Sequence, residues 1–471
     1  MLKVIQSQKP EDAPVAPAKE RTVTPNFFIG GNKVFFISLG CPRNLVDTEV
    51  MIGLLLQAGY EAAALLEEAD YIVINTCGFL ESSRQESLDT IGQALESRKK
   101  GAKVIATGCM VQTHKDEIAN HFPEIHYLLG SGDVKEILRA VDSKEQGSSV
   151  SDARSFIEMG EVPRTISTPK HYAYLKIAEG CRKRCAFCKI PTIKGPLKSK
   201  PIEQITKEVD ILLKSGVQEL ILIAQDLGDW GKDFGYKKSE GLVTLLKAIL
   251  QDERQFQLRL LYLYPDEITD DLIELIKSDK RLLRYLDMPL QHINDEMLKA
   301  MRRTTSKEEI LAILSKLREM LPSISIRTSL MVGFPGETQE QFQELCSFVQ
   351  EAALDNVGIF KFSKEEGTHA ATLPEQIAED VKEARFKKLS ELQLKAVRKK
   401  NKKMIGKTLE VVVEGYHPET RMLMRGRYEG QCPEIDGIVI INDGRKVDAF
   451  GKRYKVEITD FADYDLIGKV V

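Results

Sequence analysis

The sequence predicts an α/β protein of successive regions, and three observations carry that reading. Apolar strand-like runs alternate with helically spaced segments through most of the 471 residues. Six of the eight cysteines fall into two triads, each placed just past such runs. From about Ile405 the pattern changes to short alternating runs punctuated by turn residues. The first observation implies parallel sheets covered by helices, the second a chemistry held at strand ends, and the third a small antiparallel β domain.

The first 32 residues are rich in Pro, Glu and Lys, and are expected to be a disordered tail. Residues 33–141 carry the strand-like runs Val34-Phe35-Phe36-Ile37, Tyr71-Ile72-Val73-Ile74 and Val104-Ile105-Ala106. Helical spacing separates them over 47–58 and 82–97, which gives an open, mainly parallel α/β domain. Residues 142–169, with Gly147, Ser148, Ser149, Ser151, Pro163 and Pro169, read as a linker. A second α/β series occupies 170–404, with candidate strands at 172–177, 219–224, 257–262, 285–288, 324–331 and 357–362. Six such units suggest a partly closed barrel, whose active site belongs at the C-terminal strand ends. Residues 405–471, with Leu409-Glu410-Val411-Val412-Val413, Met422-Leu423-Met424-Arg425 and Ile438-Val439-Ile440-Ile441, read as a small antiparallel β barrel of the oligonucleotide-binding kind.

Composition bounds the function classes. A formal charge of −3 with 42% hydrophobic residues describes an ordinary globular chain, and no run of about 18 apolar residues is available to span a membrane as a helix. With no secretory leader in the opening residues, the chain is expected in the cytoplasm. Thiols there stay reduced, so the cysteines point to metal or catalysis rather than to disulfides. A basic run from Lys382 to Lys407 reads as a solvated helix in preference to an RNA contact.

Cys181, Cys185 and Cys188 form a CxxxCxxC loop directly after the first strand of the second series. Cys41, Cys77 and Cys109 each adjoin a glycine, in Gly40-Cys41, Cys77-Gly78 and Gly108-Cys109, at the ends of three successive strands. Three thiolates are one short of a closed zinc or iron–sulfur site and leave one coordination position open. A zinc site completed by a distant ligand is the alternative for the loop, although no HxxxH partner is in view and His171 lies on the strand side. Taken singly, Cys41, Cys77 and Cys109 are also compatible with buried core thiols.

The CxxxCxxC loop, with the aromatic Phe187 before its last cysteine, resembles the radical S-adenosylmethionine enzymes. The three scattered cysteines resemble the N-terminal domain of the methylthiotransferases within that superfamily, and the terminal β region resembles their TRAM domain. The wording Ser38-Leu39-Gly40-Cys41-Pro42-Arg43-Asn44, Asn75-Thr76-Cys77-Gly78-Phe79, Asp287-Met288-Pro289-Leu290-Gln291-His292 and Pro433-Glu434-Ile435-Asp436-Gly437 is similar to the RimO type and differs from the tRNA-modifying MiaB type. One departure concerns Lys194-Gly195, where the family usually has an Arg-Gly pair. Lysine lacks the bidentate fork of arginine.

The resemblance implies two 4Fe-4S clusters, one held by Cys181, Cys185 and Cys188 and one by Cys41, Cys77 and Cys109, with S-adenosylmethionine as cofactor. It implies methylthiolation of the β-carbon of an aspartate in small-subunit ribosomal protein twelve, with a tRNA adenosine methylthiotransferase as the nearer alternative and a non-catalytic iron–sulfur or zinc protein as the further one. A reductant protein such as flavodoxin or ferredoxin, and an rRNA or tRNA contact through the TRAM domain, are the implied partners. Expected cofactor contacts are Phe187, Glu219, Gln225 and Asp226 around the first two barrel strands, and Gly333 and Gly336 in the turn Val332-Gly333-Phe334-Pro335-Gly336-Glu337. His292 reads as a core histidine, and Cys346 and Cys432 receive no role.

Overall fold

The computed structural model describes residues 32–152, 155, 157 and 163–471. The tail expected over 1–32 therefore lies, apart from Asn32, outside the described residues, as does part of the stretch 142–169. The chain divides into two compact units, one comprising residues up to Ser167 with Thr192–Gly195, the other Thr168–Pro191 with Pro196–Val471.

The first unit is built on six parallel strands, β1 (Lys33–Ser38), β2 (Glu61–Ala62), β3 (Tyr71–Thr76), β4 (Lys103–Gly108), β5 (Tyr127–Leu129) and β6 (Gly147–Ser149), in the order β2-β1-β3-β4-β5-β6. Every residue of Tyr-Ile-Val-Ile-Asn-Thr in β3 is buried, as a strand covered on both faces requires. Helices α1 (Pro42–Gln57), α2 (Glu81–Ser97) and α3 (Cys109–His121) follow β1, β3 and β4. Strand β6 lies within the stretch read as linker; its Gly-Ser-Ser wording has no apolar pattern, and only pairing with β5 reveals it. The end of that stretch is fixed too. Glu49 on α1, fully buried, accepts from Arg164 Nε and Nη2 at 2.8 and 2.6 Å and from Ser167 N and Oγ at 2.7 Å each.

In the second unit six parallel strands run in the order β14-β13-β12-β11-β10-β7. These are β7 (Tyr172–Lys176), β10 (Glu219–Ile223), β11 (Gln257–Leu260), β12 (Leu282–Asp287), β13 (Ser325–Val332) and β14 (Asn356–Lys361). A short hairpin of β8 (Ala178–Glu179) and β9 (Lys198–Ser199) brackets the CxxxCxxC loop. Since β7 and β14 do not pair, the barrel is partial, as the six-unit pattern predicts.

The terminal region closes into a barrel of β15 (Thr408–His417), β16 (Thr420–Tyr428), β17 (Val439–Asp443), β18 (Arg453–Ala462) and β19 (Asp465–Val470), in ring order β15-β16-β17-β19-β18. Its pairs are antiparallel except β17 with β19, which run parallel. The exception is geometric, because an odd number of strands cannot alternate direction around a closed ring.

This barrel docks on the N-terminal ends of the parallel strands through buried charge. Arg427 reaches Glu219 at 2.6 Å and Glu414 at 2.7 Å, and Arg259 pairs with Glu219 at 2.7 Å. The loop after β16 adds Asp436, bonded by Arg327 and the Tyr285 hydroxyl at 2.7 Å each, and Glu434, which accepts from Tyr172 Oη at 3.0 Å. Burial pushes the Glu219 carboxyl up, but the Arg427 and Arg259 guanidiniums outweigh it and hold the group at about 2. The basic run of 382–407 lies mostly on the helix Glu379–Lys402 and is largely used inside this unit: Arg385 binds Glu337, Lys400 binds Asp355, and Arg398 binds Asp463.

Replacing Glu219 by Ala removes the carboxylate of buried Arg259 and one of the two that hold buried Arg427, and is expected to cost about 3–5 kcal/mol in denaturant unfolding. Since the folded pKa lies below the usual 4.5, the Glu219 contribution is complete above that pH and is lost as pH falls toward 2. An unfolding series from pH 7 to pH 3 should show the wild-type advantage over Glu219→Ala shrinking at the acid end.

Candidate functional site

In a parallel sheet all C-terminal strand ends share one edge, where ligands gather. The first unit uses that edge for its cysteines. Cys41 caps the start of α1 after β1, Cys77 follows β3, and Cys109 opens α3 after β4. Glycines make the approach possible. A Cβ on Gly40, whose φ is +88°, would lie 2.9 Å from Cys77 Cβ; one on Gly78 would lie 2.7 Å from Met110 Cα; and one on Gly108, at φ +100°, would meet Asn75 Oδ1 at 2.2 Å. No side chain fits at these positions, so the three strand ends can close together only as glycine.

Two asparagines lock the arrangement. Asn44 Nδ2 donates to Leu39 O at 2.9 Å and Thr76 O at 3.0 Å, and the Cys109 thiol lies 3.6 Å from Asn44 Oδ1. Asn75 Nδ2 donates to Asn44 O at 2.8 Å and Thr48 Oγ1 at 2.9 Å. The two stand in the Cys-Pro-Arg-Asn and Asn-Thr-Cys wordings, where their amides tie β1, β3 and α1 together. Burial pushes the Cys77 thiol up, and proximity to Cys41 adds to it. At Cys41 burial acts the same way but is outweighed by the Arg43 guanidinium and nearby backbone N–H donors, which lower the thiol. On the same helix, Asp47 meets Lys194 at 3.2 Å, both buried.

The second unit uses its own C-terminal edge for the other triad. The loop is clamped at its middle: Ala186 N donates to Met301 O at 3.0 Å and Ala186 O accepts from Ala370 N at 2.8 Å. Phe187 packs against the apolar cluster of Ala186, Met297, Met301, Phe334, Phe362 and Ala370. Two of the sulfurs meet polar neighbours: Ile190 N–H donates to Cys188 Sγ at 3.4 Å, Arg303 Nη1 donates to Cys185 Sγ at 3.7 Å, and Tyr264 Oη lies 2.6 Å from the same sulfur. Burial pushes the Cys181 thiol up to about 12, with the acids Asp229 and Asp226 adding to it. All eight cysteines are free thiols. Donors aimed at unpaired sulfurs suit thiolate ligands, and three thiols in one clamped loop suit an iron–sulfur cluster with one iron left open.

Gln225 and Asp226 stand at the end of β10, on this edge. Gln225 Nε2 donates to Glu179 Oε1 at 3.1 Å, and its buried Oε1 accepts nothing among the described residues. Asp226, pushed up to about 7 by burial and by Asp229, accepts from Gly228 N at 3.0 Å and lies 3.6 Å from Lys183 of the cysteine loop. Glu219 does not join them. It opens β10 about 20 Å back along the strand and pairs there with Arg259 and Arg427.

Gly333 and Gly336 lie in the turn after β13, both at positive φ. Gly333 N donates to Glu337 Oε2 at 2.6 Å, and the close approach that its φ of +74° permits is to the Lys382 side chain. Glu337 also binds Arg385 at 2.5 Å and His292 at 3.2 Å, which makes His292 the satisfied core histidine expected. Cys346 and Cys432 are buried. Lys183, Tyr264 and Arg303 escaped sequence reading, because only the sheet brings residues 264 and 303 to the cysteine loop.

Known proteins match this layout. The family described as Uncharacterized protein family UPF0004 matches residues 33–130, the Radical SAM superfamily residues 175–349, and the TRAM domain residues 405–471. A protein of Protochlamydia amoebophila named ribosomal protein uS12 methylthiotransferase RimO is 66% identical over 95% of this chain and 94% of its own length. The chain belongs to the RimO family. Further RimO proteins, from Chlamydia abortus and Bdellovibrio bacteriovorus, are 56% and 45% identical over 96% and 93% of this chain and 98% and 97% of their own. Among solved structures, the radical S-adenosylmethionine methyltransferase TsrM of Kitasatospora setae aligns over 70% of this chain and 75% of its own with a TM-score of 0.52 at 15% identity, a likeness of fold. Among the described residues no helix is long and apolar enough to cross a membrane.

Gly78→Ala, which drives a Cβ into the Met110 backbone, is expected to empty the first triad alone. Reconstituted iron should fall from about eight to about four per chain, with the loop cysteines still occupied by Mössbauer spectroscopy.

Proposed function

We infer that this RimO-family chain methylthiolates the β-carbon of an aspartate in ribosomal protein uS12. The single observation that carries this reading is the pair of thiol triads, each at the C-terminal edge of its own parallel sheet, in a chain 66% identical to a protein named for that activity. Cys41, Cys77 and Cys109 would hold one 4Fe-4S cluster, and Cys181, Cys185 and Cys188 the other. When bound, the clusters and S-adenosylmethionine supply a carbon-centred radical and the sulfur and methyl group to be transferred.

The chain's own residues have narrower tasks. The clamp on Ala186 fixes the loop cysteines relative to the segments that bear Met301 and Ala370, so that one face of the triad stays open in a constant direction. Phe187, with the apolar cluster behind it, keeps water from that face, and a carbon radical that meets no solvent donor survives to react as positioned. Gln225, whose Oε1 is an unclaimed acceptor, and Asp226 at the same edge are the proposed contacts for the charged methionyl end of the cofactor. In the first unit Asn44 and Asn75 hold the ends of β1 and β3 to α1, and the glycines leave the space around the sulfurs to the cluster. A flavodoxin or ferredoxin is the proposed electron donor. The TRAM barrel is the proposed RNA-facing part; the basic helix beside it spends several of its charges on internal partners, which withdraws one support from a tRNA substrate.

The test is an anaerobic reaction of reconstituted protein with S-adenosylmethionine and reductant, offered uS12 and unmodified tRNA in parallel and read by mass spectrometry. A methylthio adduct on the uS12 aspartate is expected, and one on tRNA adenosine alone would overturn the reading. Cys181→Ala is expected to abolish cofactor cleavage. Cys77→Ala should retain cleavage and lose sulfur transfer, as deoxyadenosine and product counts would register.

A further inference from the structure

Tyr264 is the least expected member of the loop's surroundings. It stands past β11, far in sequence from the cysteines, with its ring buried. Two cations lie against the ring: the Arg303 guanidinium 3.7 Å from its centroid and Lys183 Nζ 4.5 Å from it. Its backbone N–H is held by Asp226 Oδ1 at 3.4 Å. Arg303 is in turn tethered by Pro289 O, and Lys183 by Asp266 and Glu267 at 3.3 and 3.4 Å. The hydroxyl of this fixed ring ends 2.6 Å from Cys185 Sγ, and Arg303 Nη1 reaches the same sulfur at 3.7 Å.

We propose that Tyr264, with Arg303 stacked upon it, is a positioning residue that sets the reduction potential of the loop cluster by hydrogen-bonding the Cys185 thiolate. The inference rests on the reading that Cys181, Cys185 and Cys188 hold an iron–sulfur cluster. A cysteine bound to iron is a thiolate and can only accept, so the phenol must be the donor. Donation to a ligand sulfur, together with a nearby guanidinium, favours the more negative state of a cluster, which is its reduced state. Radical chemistry begins with that reduction. Cys188, by contrast, faces the backbone N–H of Ile190, a donor that no side-chain substitution removes. Cys185 is the loop ligand that a hydroxyl and a guanidinium both reach, so side-chain substitution can alter its surroundings.

The experiment uses the full chain with Cys41, Cys77 and Cys109 changed to Ala, so that only the loop cluster contributes. Its midpoint potential is measured by redox titration followed by electron paramagnetic resonance. Tyr264→Phe keeps the ring against its two cations and removes the hydroxyl alone. Iron and sulfide content should equal the parent's, and the midpoint should move to a lower potential. Cofactor cleavage should slow at a fixed weak reductant and recover with a stronger one. An unchanged midpoint in a fully loaded Tyr264→Phe protein overturns the inference while leaving the cluster assignment intact. A parent that shows no reducible cluster signal overturns the assignment itself. If Tyr264→Phe does not load, Arg303→Gln, which keeps the phenol and deletes the charge, is read in its place: a lower midpoint supports the inference and an unchanged one overturns it.

Discussion

The two six-stranded sheets of this protein are parallel, and that constraint organises everything else. Parallel strands put all their C-terminal ends on one edge, so that residues separated by dozens of positions meet there without any further design. Cys41, Cys77 and Cys109 converge in this way on the first sheet, and Gln225, Asp226 and Tyr264 are carried to the cysteine loop on the second. The opposite edge has different work. In the second unit it receives the terminal barrel, through Glu219, Arg259 and Arg427 and through the loop bearing Glu434 and Asp436.

The division of edges explains why buried charge is tolerated at one end and buried thiol at the other. At the docking edge each carboxylate has at least one guanidinium or hydroxyl partner, so the cost of removing charge from water is met by direct pairing. At the cysteine edge the acids Asp226, Asp229 and Glu267 crowd one another and are balanced by Lys183 and Lys232. That balance has a structural result: Lys183 belongs to the cysteine loop, so the same ion pairs that relieve the acids also hold the loop down against the ends of β10 and β11.

Glycine has an equally direct role in the first unit. Cysteine sulfurs reach only a few ångströms from the backbone, so three of them can share a cluster only if three chain segments nearly touch. Gly40, Gly78 and Gly108 remove the side chains that would keep them apart, and the amides of Asn44 and Asn75 replace the lost packing with hydrogen bonds. The repeated pairing of glycine with cysteine is thus a steric requirement of the site.

The sequence by itself determined the long apolar strands, the two triads and the family. Strand and helix patterning is local, cysteine spacing is local, and the motifs that carry the resemblance are contiguous, so nothing tertiary was needed to read them. The place of Gln225 and Asp226 just past β10 was legible for the same reason, since a strand followed by polar residues marks its own C-terminal end. What only the tertiary structure decided is which polar residues face the cofactor edge and which are spent elsewhere. Glu219 opens the strand that leads to Gln225, yet its partners come from residues 259 and 427, and no local pattern encodes a pairing across so many positions. Gly333 carries the wording of a ligand turn, but its N–H is taken by Glu337 four residues on. Tyr264 and Arg303 reach Cys185 only because the sheet order sets their segments beside the loop, and that proximity is a property of the packed fold.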